Sequence, residues 1–177
     1  MTRIWTIGHS TRNIDKLCEL LNAYAIKLVA DVRLFPGSRR YPQFNKEALA
    51  ESLSGRGIAY THVPELGGRR KPRPDSHNTA WRNEAFRGYA DHMESEEFAH
   101  GISKLRNFVE QHGNTAIMCA EAVWWRCHRA LISDYLKARG TTVLHIVDGA
   151  KSDPHPFTSA ARIVDGVLTY AGEKALL

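Results

Sequence analysis

Long apolar runs are missing from this 177-residue chain. No segment approaches the roughly 18 consecutive apolar residues that would cross a bilayer. The opening residues, Met1-Thr2-Arg3-Ile4-Trp5, lack the apolar stretch of about 7–15 residues found in a secretory leader. Cysteine is scarce, with Cys18, Cys119 and Cys127 as the three present. So low and odd a count argues against a disulfide framework and for a reducing compartment. The expectation is a cytoplasmic protein with no membrane partner. Repeats, low-complexity tracts and linkers are absent as well, which leaves one domain over residues 1–177. A chain of this length buries roughly 70% of its unfolded surface, so no metal or disulfide staple is needed to fold it.

Positive charge is in modest excess. Lys and Arg number 24 against 19 Asp and Glu, a formal net charge of +5. The excess is clustered: 69–73 reads Arg-Arg-Lys-Pro-Arg, and Arg33, Arg39 and Arg40 fall within 33–40. Basic patches are the footprint of phosphate binding. The expected partner is therefore an anionic small molecule or nucleic acid. The plainer alternative is a charge that serves only solubility.

Short β-branched runs alternate with amphipathic stretches. Ile4-Trp5-Thr6-Ile7 predicts a strand, stopped by Gly8. Ile14, Leu17, Leu20 and Leu21 then fall at helical spacing within 12–23, with Ser10 or Thr11 placed to cap. Leu28–Val32 predicts a second strand, apolar enough for burial on both faces. The pattern continues with a helix over 46–55, a strand over 58–63 and helices over 79–93 and 95–112. A strand over 115–119, a helix over 127–139 and a strand over 142–147 follow. Asp165-Gly166 carries a hairpin signal over 163–170. The expected fold is a single α/β domain: a mostly parallel five-stranded sheet, helices on both faces and a small C-terminal hairpin. In such sheets ligands bind beyond the carboxyl ends of the strands, near a change in strand order.

Those ends carry the candidate residues. Gly8-His9-Ser10-Thr11 passes from a strand into a helix through small residues, which suits an anion, with plain capping as the alternative. Asp31 and Arg33 lie two apart on one strand face, so an ion pair could aim the guanidinium at a ligand. Ser38 and Arg39 follow in a proline-bounded loop, and Gly67 and Gly68 open the loop over 64–77.

The densest stretch runs from Met118 to Arg129. Cys119 and Glu121 end a strand, Trp124 and Trp125 sit in a loop, and Cys127-His128-Arg129 opens a helix. Cysteine at a helix N-terminus has its thiolate favoured by N–H groups and nearby cations. Three chemistries stay open here. One is a nucleophilic thiolate activated by His128 or Arg129. Another is acid/base catalysis by Glu121 beside an anion held by Arg129. The third is a metal site from Cys119, Cys127, His128 and His9. Burial of the cysteines as core is the bland alternative. Six residues separate Cys119 from Arg126 where cysteine phosphatases have five, and seven separate the cysteines, unlike a C-x2-C metal pair. Cofactors are thus undetermined, and a metal is not expected. The tryptophans could stack on a base or simply pack.

Taken in order, Thr6-Ile7-Gly8-His9-Ser10, Asp31-Val32-Arg33 with Pro36 and Ser38-Arg39, Leu66-Gly67-Gly68, Met118-Cys119-Ala120-Glu121 and Cys127-His128-Arg129 resemble the bacterial and archaeal family catalogued as domain of unknown function 488 (DUF488). The resemblance covers about 3–148 and leaves 149–177 as an extension. It implies a cytoplasmic α/β domain and gives no reaction. The expected function is an enzyme, a hydrolase in the simplest case, acting on a phosphate-bearing substrate such as a nucleotide or nucleic-acid component. Cys119, Glu121, Cys127, His128, His9 and Asp31 are the expected catalytic residues. Gly8, Ser10, Arg33, Ser38, Arg39, Gly67, Gly68 and Arg129 are the expected anion-binding residues. The rivals are a non-catalytic binding module using Arg69, Arg70, Lys71 and Arg73, linked to repair or regulation, and a cysteine-based metal or redox sensor.

Overall fold

The structure, a computed structural model, describes residues 2–172. Five strands run parallel: β1 (Arg3–Gly8), β2 (Leu28–Asp31), β3 (Ala59–His62), β4 (Thr115–Cys119) and β5 (Thr142–Ile146). A sixth, β6 (Ser152–Pro154), adds antiparallel to β5 at one edge. The order across the sheet is β3-β2-β4-β1-β5-β6. The helices are α1 (Ile14–Ala23), α2 (Lys46–Ser54), α3 (Glu84–His92), α4 (Glu96–His112) and α5 (Arg129–Ala138).

Alternation along the strands builds two cores. In β1, Ile4 joins the core under α3, α4 and α5, while Trp5 and Ile7 join the one under α1 and α2. Fully burying each such side chain is worth roughly 1.5–3 kcal/mol. Burial on both faces explains the near-continuous apolar runs of β2 and β4.

The connections fix the site. α1 leaves β1 over one face and α5 leaves its neighbour β4 over the other. The chain therefore diverges where β1 and β4 end side by side, and a crevice opens there.

Several boundaries differ from the sequence reading. β6 was not foreseen, because three residues ending in Asp153-Pro154 have no alternation to read. The cap of α1 is Asn13, whose side chain accepts from Lys16 N at 2.8 Å, and neither Ser10 nor Thr11. α3 starts at Glu84 behind an Asn83 cap rather than at 79. The hairpin forms as β7 (Arg162–Val164) and β8 (Val167–Thr169), with positive φ at both Asp165 and Gly166, as a two-residue I′ turn requires. His155, Ala160 and Tyr170 of the C-terminal stretch are buried against the same domain. Among the described residues, no helix is long and apolar enough to cross a membrane.

Candidate active site

A cavity of about 430 Å³ lies at the strand ends. His9 reaches it from β1, Arg33 from β2, Cys119 and Glu121 from β4, and Cys127 and His128 from the start of α5. Residues from the ends of three strands and the start of one helix thus line one space.

Arg33 is set by Asp31. That carboxylate is fully buried and accepts from Arg33 Nε at 2.9 Å and Nη2 at 2.7 Å. It also accepts from Arg33 N and the Tyr60 hydroxyl. Nη2 additionally donates to Phe44 O. Two of the three guanidinium nitrogens are thereby spent on Asp31 and Phe44, and the third, Nη1, faces His9 Nε2 at 3.3 Å. Asp31 itself does not line the cavity. With every lone pair engaged, it orients the arginine.

His9 stacks on Phe44 and donates from Nδ1 to Ser10 O. Its Nε2 is then an acceptor turned toward Arg33. Burial first, then the Arg33 charge, lower its pKa to about 4 against the pull of the Ser10 hydrogen bond.

The turn after β1 is not an anion cradle. The N–H groups of His9 and Ser10 donate to Cys119 O and Ala120 O. They extend the β1–β4 ladder and cannot face a ligand. Ser10 sits at φ +53° and, like Gly8, stays outside the cavity lining. Gly8 matters through space: a Cβ there would lie 1.6 Å from Glu121 O. Only glycine lets the two strand ends come this close.

The cavity floor holds two thiols. Cys119 Sγ and Cys127 Sγ are 2.7 Å apart and both residues are buried, with Cys18 remote in the opposite core. The His128 ring donates from Nε2 to Val32 O, which turns the Nδ1 lone pair toward Cys127 Sγ at 3.5 Å. The Arg129 backbone N–H also reaches that sulfur at 3.5 Å. Burial pushes the Cys127 thiol up, but its hydrogen bonds with Cys119 and His128 and the positive charge of Arg129 outweigh it and hold it well below its usual value. Cys119 goes the other way, raised by burial and by its hydrogen bond with Cys127. One sulfur is disposed to ionise and its neighbour to keep a proton.

Glu121 is the carboxylate on the cavity wall, and its side chain is exposed there. Arg129 does not line the cavity. Its guanidinium is buried and donates to Thr6 Oγ1, Glu121 O and Ala122 O, so it pins the loop that carries Glu121. Arg39 is exposed and outside the lining, whereas Ser38 is in it. Gly67 packs against the Leu34 backbone beneath the rim. Gly68 lines the cavity, where a Cβ would crowd His128 Nδ1 at 2.9 Å.

Sequence reasoning missed the walls. Phe35, Tyr41, Phe86 and Tyr89 bring aromatic surface to the lining and Arg126 adds positive charge, beside Arg69, which the sequence offers only for the binding alternative. Phe35 was readable, as an aromatic residue in a Pro-Gly loop with no strand or helix pattern to absorb it. The tryptophans lie outside the cavity. Trp124 stacks on His145 at 4.6 Å, and Trp125 is exposed. Among the described residues, no group of three or more His, Cys, Asp or Glu side chains is arranged to hold a metal ion.

A family model described as Domain of unknown function DUF488 matches residues 13–136, more than half of the chain. The match includes the Arg33, Glu121 and Cys127 segments and starts after His9. No curated protein and no solved structure matches the chain.

Proposed function

The chain belongs to the DUF488 family, whose description names no activity; from the site itself we propose that it is a cytoplasmic hydrolase of a phosphate ester, with Cys127 as nucleophile. The observation that carries this reading is the polarised thiol pair on the floor of a cavity lined by Arg33, Arg69 and Arg126. Three guanidinium groups against one carboxylate make the space attractive to a dianion. The aromatic surface suits the base of a nucleotide, which selects nucleotides among phosphate esters.

In this reading His128 Nδ1 takes the Cys127 proton and the thiolate attacks phosphorus. The S–P bond forms as the P–O ester bond breaks, and Glu121 gives a proton to the leaving oxygen. Glu121 then takes a proton from water, whose oxygen displaces sulfur and releases phosphate. Asp31 and Arg129 act at one remove, by orienting Arg33 and by holding the Glu121 loop.

Binding of nucleic acid along 69–73 draws less support. Arg70 pairs with Glu97, and Arg73 pairs with Glu94, so two of the four cations of this cluster are already paired within the domain.

The test is a screen of nucleotides and phosphoesters with the parent protein and the Cys127→Ser and Glu121→Gln variants. Loss of at least about a hundredfold in turnover is expected for each, in line with the usual worth of a nucleophile or acid/base group. Turnover that survives both substitutions sinks the assignment.

A further inference from the structure

We propose that the cavity also runs a two-electron thiol chemistry: Cys127 reduces a small hydroperoxide and Cys119 closes on it, storing the oxidised state as a Cys119–Cys127 disulfide. The effect on turnover rests on the hydrolase reading above; the sulfur chemistry stands apart from it.

Geometry carries the proposal. The sulfurs are 2.7 Å apart, against about 2.05 Å in a disulfide. The resolving sulfur therefore has almost no distance to travel. Both residues sit on anchored elements, Cys119 at the end of β4 and Cys127 just before α5. The loop between them is tied down by Arg129 through Glu121 O and Ala122 O. The pair is also asymmetric, since His128 Nδ1 and the Arg129 N–H face Cys127. A nucleophile and a resolver need that inequality, because the attacking sulfur must be ionised and the second must keep its proton until its turn.

Access selects the oxidant. Cys127 is 6% exposed and Cys119 2%, so neither can be met by another protein's disulfide without opening the cavity. A hydroperoxide enters a space of about 430 Å³ freely.

The steps balance. The Cys127 thiolate attacks the terminal oxygen of ROOH, an S–O bond forms, the O–O bond breaks, and RO⁻ leaves to take a proton as ROH. Cys127 is now a sulfenic acid. The Cys119 sulfur, losing its proton, attacks the Cys127 sulfur. The S–S bond forms, the S–O bond breaks, and hydroxide leaves with that proton as water. The sum is two thiols and ROOH giving a disulfide, ROH and water. An external dithiol reverses it by exchange, taking the oxidation onto itself. While the disulfide persists, Cys127 cannot attack phosphorus.

The experiment uses the reduced full-length Cys18→Ser protein, titrated with hydrogen peroxide. The expected result is one peroxide consumed per chain, loss of both remaining thiols, an intramolecular disulfide by mass, and full return with dithiothreitol. Cys119→Ser on that background should stop at a sulfenic acid that a cyclic 1,3-diketone traps. Cys127→Ala should consume peroxide at least about tenfold more slowly, with its near-ultraviolet circular dichroism checked against the parent. Disulfides between chains, a sulfinic acid in the parent, or undiminished consumption by folded Cys127→Ala overturns the proposal. Phosphoester turnover is measured in parallel. Disulfide formation without any hydrolysis keeps this inference and removes the hydrolase, and hydrolysis without a disulfide does the reverse.

Discussion

Asp31 and Asp134 are both fully enclosed, and each accepts four hydrogen bonds, yet they build different things. Asp31 spends its lone pairs on Arg33 and Tyr60, and the arginine turns Nη1 to His9, both residues lining the cavity. Asp134 accepts from His155 Nε2 at 2.8 Å, the Tyr170 hydroxyl at 2.8 Å, and Thr158 through both N–H and hydroxyl. The line continues from His155 to His145, to Thr6 Oγ1 and to Arg129. None of these residues lines the cavity. The second cluster closes on itself and staples the C-terminal stretch to α5. What separates a site from a staple is access, since Arg33 and His9 line open space and the second cluster does not, and neither burial nor charge alone makes that distinction.

The comparison breaks most readily at the carboxylates. Asp31→Asn leaves a mostly buried guanidinium without its counter-charge and should cost about 3–5 kcal/mol. Asp134→Asn keeps one acceptor oxygen for donors that include two hydroxyls and an amide, and should cost about 1–3 kcal/mol. Urea midpoints at pH 7 with unchanged m-values check both. Equal costs would mean that a full positive charge faces Asp134 as well, and the contrast between the two clusters would fall.

Much of this was legible in sequence, for identifiable reasons. Alternating apolar runs gave the five parallel strands, because burial on both faces leaves no other composition. Residues at strand ends were legible as a set, since topology sends every strand end to the same rim. The roles of Asp31 and Arg129 were not. A charged residue at a strand end reads the same whether its hydrogen bonds are spent on protein or left for a ligand. The Cys119–Cys127 contact was hidden too, because eight positions of irregular backbone say nothing of a 2.7 Å separation. Nothing in the spacing of His145 and His155 announces a buried pair.

Acid titration sharpens the contrast further. His9 keeps its neutral form in the folded state down to about pH 4, while the unfolded chain protonates it from about 6.5. Its contribution to stability is whole above pH 6.5 and is lost as pH falls toward 4, an amount on the order of 3 kcal/mol. His145, held down to about 2 by burial and by His155 and Arg129, loses its contribution over the wider span from about 6.5 to 2, so the fall is steeper above pH 4 than below it. Denaturant midpoints between pH 7 and 3 should therefore fall in two stretches. The His9→Gln variant should reduce the upper slope to that of the lower one. A single slope unaffected by His9→Gln would show that the cavity histidine is as solvated as a surface residue.

The smallest effects separate the two tryptophans. Trp124 lies nearly parallel to His145, 7° between planes, and touches His155 edge-on, so it covers the staple rather than the cavity. Truncation to alanine removes that cover and should cost about 2–3 kcal/mol, below the range for a wholly buried aromatic. Trp125 is 57% exposed, and among the described residues its only ring contact is with Trp124. Trp125→Ala should stay within about 0.5 kcal/mol of the parent and leave peroxide consumption unchanged. Thermal melts of both variants beside the parent decide it. A larger loss from Trp125 than from Trp124 would mean that the loop over the floor is held from outside, by the rim, and not by the His145 cluster beneath it.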